Sequence, residues 1–431
     1  MDELDLVRRH HRRNAAVMLS AVPFWSFGLA FLVPDTALQS FLCDAGASSR
    51  VVGHLQTIGL LGLVLPALAS PFLFRFFRRT RRVIALGWTT AVLGYVAAGL
   101  VLLLTRPERG AGMWLPVLLA FSFHMCLAGL LTPLGVSYTG RVLLPDRRGF
   151  VVGLVNSIGG LAGFAGGYLA AWWLKAGTSE RYALGYIFGG FCAALWGPIW
   201  LNTHETVENE PTTFARLGQY ARDLAGIVAR ERAFRRLLGL MALIFVFCAP
   251  PEFMTDHARR NLHGDSSLGG YLTMARFLGL FVGGLSAGWV GDRFGARLLP
   301  VIFLLVTLSW FGALLFVKDP TDVIVLTGMR GTGLGLMAVG QTKLIFDLCP
   351  RRNKASHGAL LYFVIGPTGA ASLAASGWLI DRFGHMGVFR VTWFLIALCL
   401  VPAVLFARTA AGAAGVPPTE TDAASPPVPI P

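Results

Sequence analysis

Twelve runs of mostly apolar residues divide this chain, near 15–41, 51–74, 83–104, 113–140, 150–174, 182–202, 237–256, 267–291, 298–317, 321–346, 356–380 and 386–407. A helix crossing the hydrocarbon core of a bilayer needs roughly 20 such residues, so each run is long enough to span. The runs are apolar on every side. They lack the short alternating pattern of a membrane barrel strand, and only helices or closed barrels satisfy every backbone group in lipid. The predicted fold is therefore an all-α membrane protein with twelve transmembrane helices. At 431 residues, 55% hydrophobic and 14% charged, the chain has too little polar surface to coat a soluble globule. The first run follows the basic stretch 8–14 but is too long for a secretory signal and carries Pro34 and Asp35.

Charge placement sets the topology. Of the 37 Lys and Arg, 25 fall in the N-terminal segment, the even-numbered loops and the tail, and 9 in the alternate loops. The positive-inside rule then puts both termini in the cytoplasm, of a bacterial inner (plasma) membrane on this reading. The net charge of +14 is spread over short loops with no reading element, so nucleic acid is not an expected partner. The expected partners are the lipid bilayer, a small-molecule substrate and protons, for a chain acting as a monomer. Six cysteines stand singly with no Cys/His spacing, so neither a metal nor a disulfide framework is expected. No Walker A sequence occurs, and the glycines of 330–335 lie within a span with no strand before them, so no cofactor is expected. No nucleophile cluster suggests an enzyme.

The longest polar segment, 203–236, splits the spans six and six. Within it Phe214, Leu217, Ala221, Leu224 and Val228 recur at helical spacing, which predicts an amphipathic helix. The segments are a basic N-terminus (1–14), a first six-helix bundle (15–202), a central cytoplasmic loop (203–236), a second bundle (237–407) and a Pro-rich disordered tail (408–431). At an offset of 217, Pro34-Asp35 falls on Pro251-Glu252 and residues 71–83 fall on 288–300; at 205, Gly135, Pro145 and Gly153 fall on Gly340, Pro350 and Gly358. The halves read as a duplicated unit, an arrangement that places a binding site between the bundles near mid-membrane.

With twelve spans split six and six, a long central loop and "GWVGDRFGAR" between the eighth and ninth spans, residues 15–407 resemble the major facilitator superfamily. The family's loop signature is Gly-x-x-x-Asp-Arg-x-Gly-Arg-Arg/Lys. Gly288, Asp292, Arg293, Gly295 and Arg297 match it, and Ala296 stands at the first basic position. The resemblance implies two pseudo-symmetric six-helix bundles, alternating access, and a role for this loop in holding the cytoplasmic side shut. The first-half copy departs from it, with Arg75 in place of the acid. Either the gate relies on the second copy, or Arg75 pairs with an acid such as Asp146 or Asp347.

Ionisable groups are costly in hydrocarbon and usually face a cavity or a partner. Asp35 and Glu252 hold equivalent places in the first and seventh spans, each behind a proline. Arg276 and Arg330 lie about 9 residues, roughly 13 Å, inside their spans. These four are candidates for binding substrate or protons, and the arginines equally for neutralising the acids. His124, Gln39, Trp25 and Gln341 are further candidates for lining the site. The expected function is secondary transport of a small organic solute, coupled to protons. Facilitated diffusion, drug-type efflux and a non-transporting receptor or scaffold are the alternatives.

Overall fold

The computed structural model describes residues 3–74, 79–144, 147–205, 217–348 and 354–408, and these are helical nearly throughout. The first half comprises α1 (Glu3–Leu29), α2 (Ala37–Asp44), α3 (Ser49–Phe74), α4 (Thr80–Thr105), α5 (Ala111–Val142), α6 (Arg148–Leu174), α7 (Ser179–Ala194) and α8 (Trp196–Trp200). The linker helix α9 (Leu217–Arg230) leads to α10 (Arg232–Phe247), α11 (Met254–Arg260), α12 (Leu268–Phe294), α13 (Leu299–Leu314), α14 (Asp322–Leu348) and α15 (Lys354–Arg408).

Ten helical stretches among the described residues are long and apolar enough to cross a membrane, two fewer than the runs counted in the sequence. The difference has two causes. Helix α15 fuses the last two runs, bending at Gly384, whose φ of 73° suits a residue without Cβ. The first run is broken: α1 stops at Leu29, residues 30–36 turn around Pro34, and α2 resumes at Ala37. The seventh run is broken at the equivalent place, where Pro250–Phe253 forms one 3-10 turn between α10 and α11. The basic segment expected to precede the first span is itself helical from Glu3. Asn14 is buried there, donating to the carbonyls of Val142 and His204 and accepting from the His204 amide.

Helix neighbours repeat between the halves. Contacts of α1 with α6, α3 with α5 and α4 with α7 correspond to those of α10 with α15, α12 with α14 and α13 with α15. Two further pairs join the bundles, α6 with α12 and α3 with α15. Small residues allow these backbones to meet. A Cβ on Gly167 would stand 2.5 Å from the Met274 amide nitrogen, one on Gly270 would stand 2.2 Å from that of Ala171, and one on Gly377 would stand 2.8 Å from the Ser49 carbonyl.

That close fit is confined to one end. Further along the same interface Gly153 on α6 and Gly284 and Gly288 on α12 face open space. The bundles therefore meet where α2, α11 and the start of α3 lie, and part toward the start of α6 and the end of α12. The predicted linker helix is present as α9; residues 206–216, Phe214 among them, lie outside the described residues. Leu224 and Val228 pack on the second half's core, and Glu231 Oε2 lies 2.8 Å from His357 Nε2.

Candidate functional site

Four charges meet between the bundles. Arg276 on α12 donates its Nε to Asp35 Oδ2 at 3.0 Å, and Arg330 Nη1 on α14 lies 2.5 Å from the same oxygen. Arg330 Nη2 donates to Glu252 Oε2. The sequence aligned the two acids with each other; the structure brings both to one arginine. Two carboxylates and two guanidinium groups balance formally, as a buried cluster must. Asp35 Oδ2 takes both arginines while Oδ1, also buried, has no hydrogen-bond partner among the described residues.

The two arginines are unequal. Arg330 is 4% exposed and divides its two Nη atoms between two acids, whereas Arg276 is 21% exposed and binds through Nε alone. The first is a strut; the second holds out two Nη groups that make no hydrogen bond among the described residues. Both lie 8 residues, or about 12 Å, from the starts of their helices. That depth is where Phe277 packs on Gly163, just before the bundles part.

Both helix breaks leave backbone groups that side chains of other elements satisfy, as apolar surroundings demand. Gln39 on α2 donates to the Glu252 carbonyl (2.8 Å) and accepts from the Asp256 amide (3.3 Å). Thr255 donates to the Asp35 carbonyl (2.7 Å), and Gln56 to that of Pro34 (3.0 Å). The hydroxyls of Thr36 and Thr273 lie 2.5 Å apart. Gln39 thus stands beside the cluster as a tie between the halves.

Trp25 and His124 form a separate group inside the first bundle. His124 Nδ1 lies 3.1 Å from the Tyr95 hydroxyl, and its ring meets Trp25 and Trp88 edge-on. Trp25 also packs on Trp88 and Trp196. Gln341 lies 11 residues beyond Arg330, three helical turns on the same face of α14 and about 16 Å away. Its Nε2 is buried without a partner among the described residues.

On the loop after α12, Gly295 takes a φ of 86°, and Arg293 lies over the rings of Trp289 and Phe294. Gly288 faces open space and Arg297 is half-buried. The side chains of Asp292 and Asp347, and Arg75 and Asp146 as a whole, lie outside the described residues.

Sequence reasoning missed a second polar network, at the end where the bundles meet. Asp256 is wholly buried and accepts from Ser49 Oγ (2.6 Å) and Arg260 Nε (2.6 Å), with His385 Nε2 at 2.9 Å. Arg260 also donates to the Ala47 carbonyl, and Arg259 pairs with Asp44, which accepts from the Tyr182 hydroxyl at 2.6 Å. The available signal was the charge density of "TDHARRN" beginning inside an apolar run. Among the described residues no group of His, Cys, Asp and Glu is arranged to hold a metal.

Helices paired twofold around a charged interior cluster define a membrane protein of the major facilitator type. A family model described as Major Facilitator Superfamily matches residues 250–430. The outward-conformation crystal structure of FucP, titled a Major Facilitator Superfamily transporter, aligns with a TM-score of 0.60 at 13% identity, covering 92% of this chain and 98% of that one. Residues 250–430 therefore match the superfamily's model, the chain as a whole has the major facilitator fold, and the protein is an integral membrane protein. It is 28% identical over 137 residues to a gallate transporter of Pseudomonas putida, covering 31% of this chain and 29% of that protein. It is 23% identical over 174 residues to the 4-hydroxybenzoate transporter PcaK of Acinetobacter baylyi, covering 39% and 38%. These matches span about a third of each relative's length.

Proposed function

We propose that this protein is a secondary transporter that carries a small aromatic carboxylate together with a proton across the bacterial plasma membrane. The supporting observation is the pairing of a buried, unbonded Asp35 Oδ1 with a half-bonded Arg276 in one neutral cluster. A proton on Oδ1 breaks no existing hydrogen bond. It removes one negative charge and leaves the cluster at +1, which a carboxylate docking on the Arg276 Nη pair restores to zero. Proton and solute therefore favour each other's binding. The gallate and 4-hydroxybenzoate relatives support an aromatic acid as solute.

The gap between the bundles supports alternating access, with the cluster reached from the end where Gly153 and Gly288 face open space. The basic loops support a cytoplasmic location for that end. The test is uptake of 4-hydroxybenzoate and gallate by vesicles containing the purified protein under an imposed pH gradient. Wild type accumulates the acid when the outside is acidic, and Asp35→Asn loses that accumulation. Saturable uptake that ignores the gradient in wild type is facilitated diffusion and ends the proton reading. No saturable flux of any aromatic acid ends the substrate reading.

A further inference from the structure

The signature after α12 has a twin. Residues 288–295 read Gly-Trp-Val-Gly-Asp-Arg-Phe-Gly, and residues 377–384, at the bend of α15, read Gly-Trp-Leu-Ile-Asp-Arg-Phe-Gly, identical at 6 of 8 positions. The backbones agree as well. The last glycine takes φ 86° and ψ 146° in the first and φ 73° and ψ 160° in the second. In the first, the arginine guanidinium lies 5.6 Å and 5.7 Å from the centroids of its Trp and Phe rings; in the second the distances are 5.7 Å and 5.8 Å. The two modules sit at opposite ends of the second bundle, the first at the parted end and the second at the joined end.

What they face is also alike. The second module abuts the first turn of α3, across the pair formed by α3 and α15. Asp381 Oδ2 lies 3.1 Å from Arg50 Nε, and Gly377 lets the backbones of Ser49, Arg50 and Gly53 come close. Beyond its final glycine, His385 reaches the Asp256 network. The first module lies at the end of α12, whose partner across the other interbundle pair is α6, and α6 starts with Arg148 at that end. Each module is therefore a helix end on the side of an interbundle pair where a first-half helix starts, and at the second the Asp381 carboxylate lies at the positive end of the α3 dipole.

We propose that the 377–384 module is a second interbundle latch, engaged here on the start of α3, and that Gly377 and Asp381 position the closure of that end. For the 288–295 module the family resemblance already implies a role in shutting the opposite end, and its counterpart across the bundles is the start of α6. One structural device, used twice in one bundle, thus closes the two ends in turn. The glycine supplies the close seat and the aspartate the charge, and neither touches the four-charge cluster.

The test is hydrogen exchange of the full chain in lipid nanodiscs, read by mass spectrometry at residues 44–56 and 377–388 for one end and 147–160 and 286–298 for the other. Asp381→Asn and Gly377→Leu raise exchange severalfold at the first pair of segments and lower it at the second. Arg50→Gln breaks the same ion pair from its more exposed partner and shifts exchange the same way, which separates latch loss from misfolding at Asp381. Gly288→Leu, which blocks the seat of the other module, must leave the first pair protected and keep the second pair exchanging. Unchanged exchange at both ends in Asp381→Asn, Gly377→Leu and Arg50→Gln overturns the latch, as does a Gly288→Leu protein that opens the first end. Exchange needs no solute, so the result is independent of the transport assay.

Discussion

Arg330 is the residue on which the buried cluster depends. Changing it to Gln leaves the two carboxylates with one guanidinium, that of Arg276, which is 21% exposed and bonds Asp35 but not Glu252 among the described residues. Breaking a buried ion pair by removing one partner costs about 3–5 kcal/mol, so Arg330→Gln should lower the apparent unfolding temperature in detergent sharply. Arg276→Gln removes a single bond from a group with water access and should cost much less while weakening 4-hydroxybenzoate binding about tenfold or more. Equal losses of stability from the two changes would show that the strut and the docking group have been misassigned. The four charges were legible in the sequence because charges within apolar runs are rare, and the half-repeat aligned Asp35 with Glu252. Their pairing was not, since it depends on the rotation of four helices. Trp25 shows the limit: it sits on the same run as Asp35, but the break at 30–36 separates the two, and Trp25 turns into its own bundle.

At the scale of elements, the contact of α6 with α12 carries two kinds of glycine. Gly270 is pressed against the Ala171 backbone, whereas a Cβ on Gly284 would meet nothing within 4 Å. A side chain at the first position must push the helices apart, at a cost of about 1–3 kcal/mol for overpacking. The second position has room now and none when the parted end closes. Gly270→Val should therefore lower stability, and Gly284→Leu should keep wild-type stability while abolishing counterflow of labelled 4-hydroxybenzoate. Full counterflow in Gly284→Leu would mean that α6 and α12 do not approach there. Which glycines of this contact are occupied depends on the state of the molecule, which the sequence does not carry. The twin modules escaped notice for another reason. They recur within one half, 89 residues apart, and a search between halves at 217 passes over them.

For the molecule as a whole, an all-helical membrane fold and a twofold plan followed from run length and the half-repeat, because lipid leaves so few ways to satisfy a backbone. The number of continuous helices did not follow, since prolines break two runs with no gap in hydrophobicity, and α15 carries on through the polar gap between two others, bending at Gly384. The Asp256 network was hidden because run boundaries blur at the interface, where charge is expected and draws no attention.

The neutrality of the Asp35, Glu252, Arg276 and Arg330 cluster has a further, electrical meaning. Empty, it carries no net charge; loaded with one proton and one monocarboxylate, it again carries none. On the proposed cycle neither crossing displaces charge through the membrane field, which would otherwise contribute about 2.3 kcal/mol per charge per 100 mV. Accumulation should follow the pH difference alone and stay the same under a potassium diffusion potential set with valinomycin. Stimulation by an inside-negative potential would instead point to a second proton, for which Glu252 is the available carboxylate.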